Sequence, residues 1–277
     1  MELRKNCYNC GNASNEFYFR ENGFDLHQCK SCNLIFVINP PKQENILDSH
    51  QQGMHRGLNK DLVIEASFQS GKVEYLNFIL KSMFSVNEII SKKWLDIGSG
   101  TGEFILAIKN FTNNKVDIIG SEPNLEKQKV ALEKKINTTF VDIENTDIKY
   151  DYISMLNVYS HIYDPVDFIK KLKRLLKPNG EIFIETSDTV NLSAKQHYKP
   201  FYLPDHLSFA SEKILKEIFN KNGFRFISIK KTPLVKGGIY KFIKELIKFV
   251  LPNYESNLIK MIRYRKTDIF MRFKKID

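Results

Sequence analysis

The stretch Lys93-Trp94-Leu95-Asp96-Ile97-Gly98-Ser99-Gly100-Thr101-Gly102-Glu103-Phe104 decides the fold. Its apolar first part predicts a short strand, its three alternate glycines predict a tight turn, and the apolar residues that follow predict a helix. Glycine suits such a turn because it tolerates a positive φ and lets a ligand approach the backbone closely. In open α/β sheets, nucleotides bind where a strand's carboxyl end turns into a helix. The stretch therefore predicts a nucleotide-binding α/β domain.

An acidic residue follows at the distance that ribose recognition requires. Glu122 ends the next predicted strand, residues 116–122, about twenty residues after the turn, and a carboxylate there can accept hydrogen bonds from both ribose hydroxyls. The dinucleotide fingerprint Gly-x-Gly-x-x-Gly is not met, because Glu103 occupies the third glycine position. Its carboxylate would repel a pyrophosphate at the helix N-terminus. The pattern favours a ligand with a ribose, a cationic centre and no phosphates, and S-adenosylmethionine is such a ligand.

Several motifs, in order, resemble those of the class I S-adenosylmethionine-dependent methyltransferases. Residues 95–102 resemble motif I, Glu122 resembles the ribose-binding acid, and Asp142-Ile143 resembles the pair that flanks the adenine. Residues 150–157 are similar to the fourth strand, and residues 175–184 are similar to the turn into the fifth. The resemblance implies a Rossmann-like seven-stranded α/β sheet with helices on both faces. It also implies that the cofactor is held by Asp96, Gly98, Ser99, Gly100, Gly102, Glu122, Pro123, Asp142, Ile143 and Asn157.

The four cysteines of the chain form two Cys-x2-Cys pairs, Cys7 with Cys10 and Cys29 with Cys32. Two such pairs can present four thiolates to one zinc ion. Two disulfides or free thiols are the alternatives, and disulfides are rare in the cytoplasm. We therefore expect a zinc-ribbon module with a hairpin and a third strand, in which Gly11 and Asn33 form tight turns. A site with four cysteine ligands is closed, so its zinc is expected to be structural.

Length and composition indicate one sizeable domain and a small module. The chain has 277 residues, of which 42% are hydrophobic and 27% charged, as in globular proteins. We expect the zinc ribbon at 1–38, a linker or lid at 39–71 and a methyltransferase domain at 72–277. The last part includes a helical insertion at 233–266, followed by an edge strand at 268–273. No apolar run is long enough to span a membrane and no signal-peptide core is apparent, so we expect a cytoplasmic protein.

Histidines are the candidate bases, because imidazole can accept a proton near neutral pH. His161 follows strand four, where the family often has a Glu-His pair, although Ser160 replaces the glutamate. Residues 202–209 resemble a segment in which the family's sugar C-methyltransferases use a tyrosine and an acid–histidine pair for proton chemistry. Aspartate replaces glutamate here, and the tyrosine is one residue further from the histidine. The catalytic candidates are His206, His161, Asp205 and Tyr202; for both histidines the alternative is a structural role in holding the loop.

Two further histidines, His50 and His55, fall in the expected lid. We interpret both as solvated loop residues. The alternative is that their segment covers the methionine end of the cofactor, as the N-terminal segment does in the family.

These features predict methyl transfer to a small-molecule acceptor. The ribbon resembles modules that precede a subset of small-molecule methyltransferases and help to cover the substrate. A net charge of +10 suits an acidic acceptor, such as a nucleotide-linked or phosphorylated envelope-glycan precursor. Nucleic acid is less favoured, because the ribbon lacks a basic stripe and residues 157–160 are not a base-flipping Asn-Pro-Pro-Tyr motif. The alternatives are an RNA or tRNA methyltransferase and an inactive, methyltransferase-like binding subunit.

The apolar residues of the segment 239–251 recur at helical spacing, with lysines between them. The pattern predicts an amphipathic helix that packs on the domain or on a partner in a homodimer. A peripheral contact with a membrane surface is the alternative.

Overall fold

The computed structural model describes residues 3–52, 66–197, 199–233, 239–250 and 257–276. His55 and much of the expected lid lie outside these residues. The strands are β1 Asn15–Glu21, β2 Phe24–Cys29, β3 Ile35–Val37, β4 Lys93–Ile97, β5 Asp117–Ser121, β6 Thr138–Thr139, β7 Tyr150–Leu156, β8 Leu176–Ser187, β9 Ser208–Phe209, β10 Phe224–Thr232 and β11 Asp268–Lys275. The helices are α1 Gln43–Gln51, α2 Ser70–Met83, α3 Val86–Ile89, α4 Glu103–Phe111, α5 Leu125–Glu133, α6 Pro165–Leu175, α7 Glu212–Lys221, α8 Ile239–Val250 and α9 Leu258–Arg263.

A seven-stranded sheet forms the centre of the molecule, in the order β10-β11-β8-β7-β4-β5-β6. The strands from β8 to β6 pair in parallel, whereas β11 is antiparallel to both of its neighbours. This architecture confirms the predicted Rossmann-like α/β sheet with helices. In such a sheet the carboxyl ends of β4, β5, β6 and β7 meet at one edge, where ligands bind.

The last strand is not at the edge, so that prediction was wrong. β11 forms backbone ladders with both β8 and β10, and its first six residues are buried. Arg272 is tolerated there because its guanidinium lies 2.7 Å from the Glu181 carboxylate and covers the Phe84 ring at 4.0 Å. The edge strand on this side is β10.

The strand β4 lies in the middle of the sheet because its side chains are apolar on both faces. Trp94 and Leu95 are fully buried, and the Trp94 ring stacks on Tyr152 with 4.6 Å between centroids. The helix α2 covers one face with Val73, Leu76, Ile79 and Leu80, as its spacing predicts, and packs against α4.

Side-chain caps fix the starts of α5, α6 and α7. Asp164 accepts hydrogen bonds from the first turn of α6, where Pro165 occupies the first position, and Ser211 caps α7. The helix α5 begins at Leu125, because the Asn124 side chain accepts a hydrogen bond from Lys127 N and so takes the capping position. Pro123 lies just before this cap and is not part of the helix.

The cysteine-rich segment and the large domain share a second sheet. β1, β2 and β3 form the predicted hairpin and third strand, and β3 then pairs with β9, which belongs to the long connection after β8. Side chains on both sides of this junction belong to one continuous hydrophobic cluster that also contains Leu95 and Ile97 of the central sheet. The cysteine-rich segment therefore packs against the connection after β8, which carries candidate catalytic residues.

Within the described ranges, none of the helices is both long and apolar enough to span a bilayer.

Candidate functional site

The glycine turn after β4 has the backbone that the sequence predicts. Gly98, Gly100 and Gly102 have φ values of 65°, 58° and 91°, which favour glycine. A Cβ on Gly98 would lie 2.4 Å from Val158 Cγ2, and one on Gly102 would lie 2.7 Å from Ile136 Cγ2. A Cβ on Gly100 would meet nothing within 4 Å, so this position borders an open cradle that a side chain would begin to fill.

Glu122, the acidic residue after β5, is hydrogen-bonded to the glycine turn. Glu122 is buried; its Oε2 accepts a hydrogen bond from Gly100 N at 2.8 Å, and its Oε1 accepts one from Asn124 N at 3.0 Å. A carboxylate has about four lone-pair directions, so these two bonds leave acceptor capacity for two hydroxyls. The residues present thus fit the ribose of S-adenosylmethionine.

Asp96 lies at the end of β4, beneath the turn. Ser154 Oγ donates a hydrogen bond to its carboxylate at 2.5 Å, and Trp94 Nε1 in turn donates to Ser154 Oγ at 2.9 Å. Burial raises the pKa of Asp96 to about 7, although the hydrogen bond from Ser154 opposes the shift. The carboxyl group is therefore poised to gain or lose a proton near neutral pH.

The other predicted cofactor residues lie on the loops at this edge. Pro123 directly follows Glu122, Asn157 directly follows β7 with a φ of 58°, and Ile143 packs on the hydrophobic cluster. Asp142 is exposed, and the pKa of its carboxyl group is lowered by hydrogen bonds from the Asn145 side chain and from Glu144 N. Ser99 is buried within the glycine turn.

Glu103 is also placed by specific contacts. Its buried carboxylate accepts hydrogen bonds from Gln69 N at 3.0 Å and from Thr101 Oγ1 at 2.6 Å. It therefore joins the end of the expected lid segment to the glycine turn, a role that its sequence position does not reveal.

Two candidate catalytic histidines lie together at the same edge. His161 Nδ1 is 2.9 Å from the Asp205 carbonyl oxygen, and His206 Nδ1 is 2.9 Å from the Phe201 carbonyl oxygen. A carbonyl oxygen only accepts, so each Nδ1 carries the hydrogen, and the neutral ring has its lone pair on Nε2. The two ring centroids are 4.7 Å apart. Each neutral ring is thus held as the Nδ1–H tautomer.

Asp205 and Tyr202 complete the predicted group. The Asp205 carboxylate is nearly buried, with Oδ1 3.2 Å from His161 Nδ1. Tyr202 has a φ of 61°, and its ring lies edge-on to His206 with 6.0 Å between centroids. The structure therefore brings all four candidate catalytic residues together.

A third histidine joins this group, contrary to the prediction of a solvated loop residue. His50 lies near the end of α1, largely buried, because its Nε2 is 3.4 Å from Asp205 Oδ1 and its ring is 5.8 Å from that of His161. Its backbone oxygen also accepts a hydrogen bond from Asn124 Nδ2 at 3.3 Å. His50 thus links the histidine cluster (His50, His161, His206 and Asp205) to the loop that carries Glu122.

The hairpin of the cysteine-rich segment is hydrogen-bonded to residues 201–203 of the loop that carries candidate catalytic residues, which we call the catalytic loop. The two oxygens of Glu21 accept hydrogen bonds from Phe201 N and Leu203 N, each at 2.9 Å. Asn22 Nδ2 donates to the Leu203 carbonyl oxygen at 2.8 Å. Sequence reasoning missed Glu21, because a single acidic residue in a hairpin gives no signal of a distant backbone partner.

The four cysteine sulfurs form a compact cluster. Cys7 Sγ is 3.5 Å from Cys32 Sγ, Cys10 Sγ is 3.6 Å from Cys29 Sγ, and all four lie within 4.8 Å of one another. These separations far exceed the about 2.05 Å of a disulfide, whereas Zn–S bonds of about 2.3 Å in a tetrahedron place sulfurs roughly 3.8 Å apart. Gly11 and Asn33 form the turns after the pairs with φ values of 76° and 64°, as predicted. The donor set fits a zinc ion.

Comparisons with known proteins agree with this geometry. A family model described as "Methyltransferase domain" matches residues 61–229. A tRNA U34 carboxymethyltransferase from Campylobacter jejuni (strain 81-176) is 30% identical over 46% of this chain and 44% of its own length. A ubiquinone biosynthesis O-methyltransferase from Aliivibrio fischeri (strain ES114) is 29% identical over 40% of this chain and 49% of its own length. The chain thus spans about half the length of the curated relatives it matches.

A solved structure supports the fold. A putative sarcosine dimethylglycine methyltransferase from Galdieria sulphuraria superposes with a TM-score of 0.51 at 19% identity, over 75% of this chain and 86% of that one. At this identity the likeness shows the fold alone.

Proposed function

This chain belongs to the methyltransferase-domain family, and we propose that it transfers the methyl group of S-adenosylmethionine to a small acidic acceptor, such as a nucleotide-linked or phosphorylated sugar. One relationship carries the proposal. The Gly100–Glu122 turn and the histidine cluster lie at the same edge of the sheet, joined through the hydrogen bond from Asn124 to His50.

The cofactor would be held by the turn and by the acids around it. Glu122 would accept hydrogen bonds from the ribose hydroxyls, the cradle beside Gly100 would receive the ligand, and Asp142 and Ile143 would flank the adenine. When bound, S-adenosylmethionine supplies a methyl group already activated by its sulfonium. The protein must therefore mainly bring the acceptor into line, which is where most of the acceleration can arise.

The histidine cluster would remove a proton from the acceptor. His206 is the candidate base, because its Nδ1–H is held by the Phe201 carbonyl and its Nε2 lone pair can accept a proton. His161 would orient the neighbouring Asp205 through its own Nδ1–H. The excess of positive charge on the chain favours an anionic acceptor.

The experiment is a calorimetric titration with S-adenosylhomocysteine. We expect Glu122→Gln to weaken binding on the order of ten- to a hundredfold, because a carboxamide offers a single acceptor oxygen in place of two. Glu126→Gln is the matched control, since Glu126 is exposed on α5 and pairs with Lys129. Absence of binding to the wild-type protein would favour the inactive binding subunit.

A tRNA or other RNA acceptor is the second candidate. The net charge of +10 and the similarity to tRNA U34 carboxymethyltransferases support it. Transfer of a labelled methyl group, measured in parallel with nucleotide sugars and with total tRNA, separates the two. Labelled RNA beside inert nucleotide sugars would overturn the small-molecule proposal.

We also propose that the four cysteines hold one structural zinc ion and that the protein works in the cytoplasm, where thiols stay reduced. The ion would fix the hairpin that supports residues 201–203. Metal analysis should find one zinc per chain, and Cys10→Ser should lose it. Ser31→Ala, between the ligands Cys29 and Cys32, should keep it. Protein purified under reducing conditions without zinc would contradict the assignment.

A further inference from the structure

The helix α8, the first of the two helices before the last strand, exposes aliphatic side chains and buries a charged one, which reverses the usual arrangement of an amphipathic helix. In α8, the side chains of Ile243, Leu246 and Ile247 have exposed fractions between 45% and 55%, whereas Glu245 is only 4% exposed. In a helix packed on its own domain, the apolar stripe faces inward and the charges face outward. The described part of α8 therefore directs its apolar stripe away from the protein.

A contact from outside α8 holds the helix in this orientation. The Glu245 carboxylate accepts a hydrogen bond from Asn257 N at 2.6 Å and one from Lys248 Nζ at 3.1 Å. Asn257 is the residue before α9, so the buried carboxylate joins the two helices. Rotating α8 to bury its apolar stripe would break the bond from Asn257 N, whereas the bond from Lys248 lies within α8 and would turn with the helix.

The second helix, α9, packs against α8 and also exposes aliphatic side chains. Leu258 and Met261 of α9 are buried, whereas Ile259 and Ile262 have exposed fractions of 53% and 58%. The exposed aliphatic side chains of both helices are defined here as the aliphatic face: Ile243, Leu246, Ile247, Ile259 and Ile262. Apolar surface grouped in this way marks an interaction site.

Charge identifies the kind of partner. Residues 239–266 contain seven lysines and arginines, at 241, 244, 248, 260, 263, 265 and 266, and only two glutamates, at 245 and 255. One of these glutamates is the buried Glu245. Lys244 and Lys260 are exposed on the same two helices, and Arg265 and Lys266 are exposed just after α9.

We propose that the aliphatic face binds the surface of an anionic lipid membrane. Aliphatic side chains can enter the boundary of the acyl chains while the surrounding lysines and arginines contact anionic headgroups. A second copy of this chain fits the face less well, because it would bring the same positive charge to the contact and the two copies would repel each other. RNA would attract the cations, but it offers no place for five aliphatic side chains, since its bases stack on aromatic and guanidinium groups.

The contact would lie close to the long connection that leads to the catalytic loop. Tyr264 Oη and Arg263 Nη1 both donate hydrogen bonds to the Gln196 carbonyl oxygen, at 2.9 Å and 3.4 Å. A membrane at α9 would therefore lie beside the segment that continues into Phe201 and Tyr202.

The test is sedimentation of the full chain with vesicles. We expect binding to vesicles of phosphatidylcholine mixed equally with phosphatidylglycerol, little binding to phosphatidylcholine alone, and weaker binding as salt is added. Ile247→Asp should lower the partition coefficient about tenfold or more, because an aliphatic side chain is lost and a negative charge is added. Leu132→Asp is the control, because Leu132 is 74% exposed on α5, outside the aliphatic face.

Several outcomes would overturn the proposal. One is failure of the wild-type chain to sediment with the anionic vesicles, and another is equal binding by Ile247→Asp and the wild type. A lipid-free dimer that Ile247→Asp dissociates in sedimentation velocity would instead assign the face to a second copy. Because Ile247 is exposed, the variant should keep its fold, which circular dichroism checks. None of these results depends on methyl transfer.

Discussion

His50 Nε2 lies 3.4 Å from Asp205 Oδ1, so a histidine from the N-terminal segment meets the acid of the loop after β8. The backbone oxygen of the same histidine is bound by Asn124, beside the candidate ribose acid Glu122. One residue thereby contacts both the proposed cofactor site and the proposed acceptor site. We expect the segment that carries His50 to act as a cover over both.

Replacement of His50 by alanine should loosen that cover. We expect faster amide hydrogen exchange in residues 43–51 and a kcat lower by about tenfold, because the segment loses its anchor to Asp205. His27→Ala is the control, since His27 lies on β2 and packs against Phe17. Exchange that matches the wild type in residues 43–51 would contradict the anchoring role.

Asparagine replacements separate the two candidate roles of His161 and His206. The asparagine side-chain NH₂ can take the position of Nδ1–H, so it keeps the hydrogen bond to the carbonyl oxygen, but it has no basic nitrogen. We expect His206→Asn to reduce kcat on the order of a hundredfold or more, with unchanged affinity for S-adenosylhomocysteine. His161→Asn should retain most of the activity. If the two variants behave in the opposite way, His161 is the base.

Glu21→Gln tests whether the hairpin positions the catalytic loop. The carboxamide keeps one acceptor oxygen, so either Phe201 N or Leu203 N loses its partner. We expect kcat to fall by about tenfold while S-adenosylhomocysteine binds as in the wild type. Glu16→Gln provides the comparison, because Glu16 lies on the same strand and pairs only at the surface with Lys30. A loss of cofactor affinity in Glu21→Gln would point to a general structural defect.

The buried Asp96 should make stability depend on pH. Its pKa is about 7 in the folded chain and about 3.9 when unfolded, so the folded state holds more protons between these values. Stability from this group is therefore present at low pH and falls as the pH rises towards 7, by about 4 kcal/mol at most.

Urea unfolding at about pH 5 and about pH 8 measures this effect. The wild-type free energy of unfolding should decrease with pH relative to that of Asp96→Asn, which cannot ionise. Asp117→Asn, an exposed change at the start of β5, should follow the wild type. Parallel pH profiles for the wild type and Asp96→Asn would show that Asp96 titrates alike in both states.

Sequence patterns correctly predicted the features whose cause lies within a few neighbouring residues. The three glycines, the capping residues Asp164 and Ser211 and the two cysteine pairs each specify a turn or a helix end within a few residues. The predicted order of strands and helices followed, because these elements alternate along the chain.

The remaining features depend on partners far along the chain. The burial of Arg272 in β11 depends on Glu181 of β8 and on Phe84, which both lie far from it along the chain. His50 has no local signal, because the Asp205 that binds it belongs to another loop. The reversed orientation of α8 depends on Asn257, which lies beyond the end of the helix.

The pairing of β3 with β9 also determines when the second sheet can be completed during synthesis of the chain. A ribosome completes the cysteine-rich segment early, but its sheet receives Ser208 and Phe209 only after the central strands have been synthesised. Until then, the Ile35–Val37 strand has an open edge that another chain could occupy. If the four cysteines bound a metal ion early, the ion would limit the conformations of the nascent segment during that interval and so protect it from pairing with another chain.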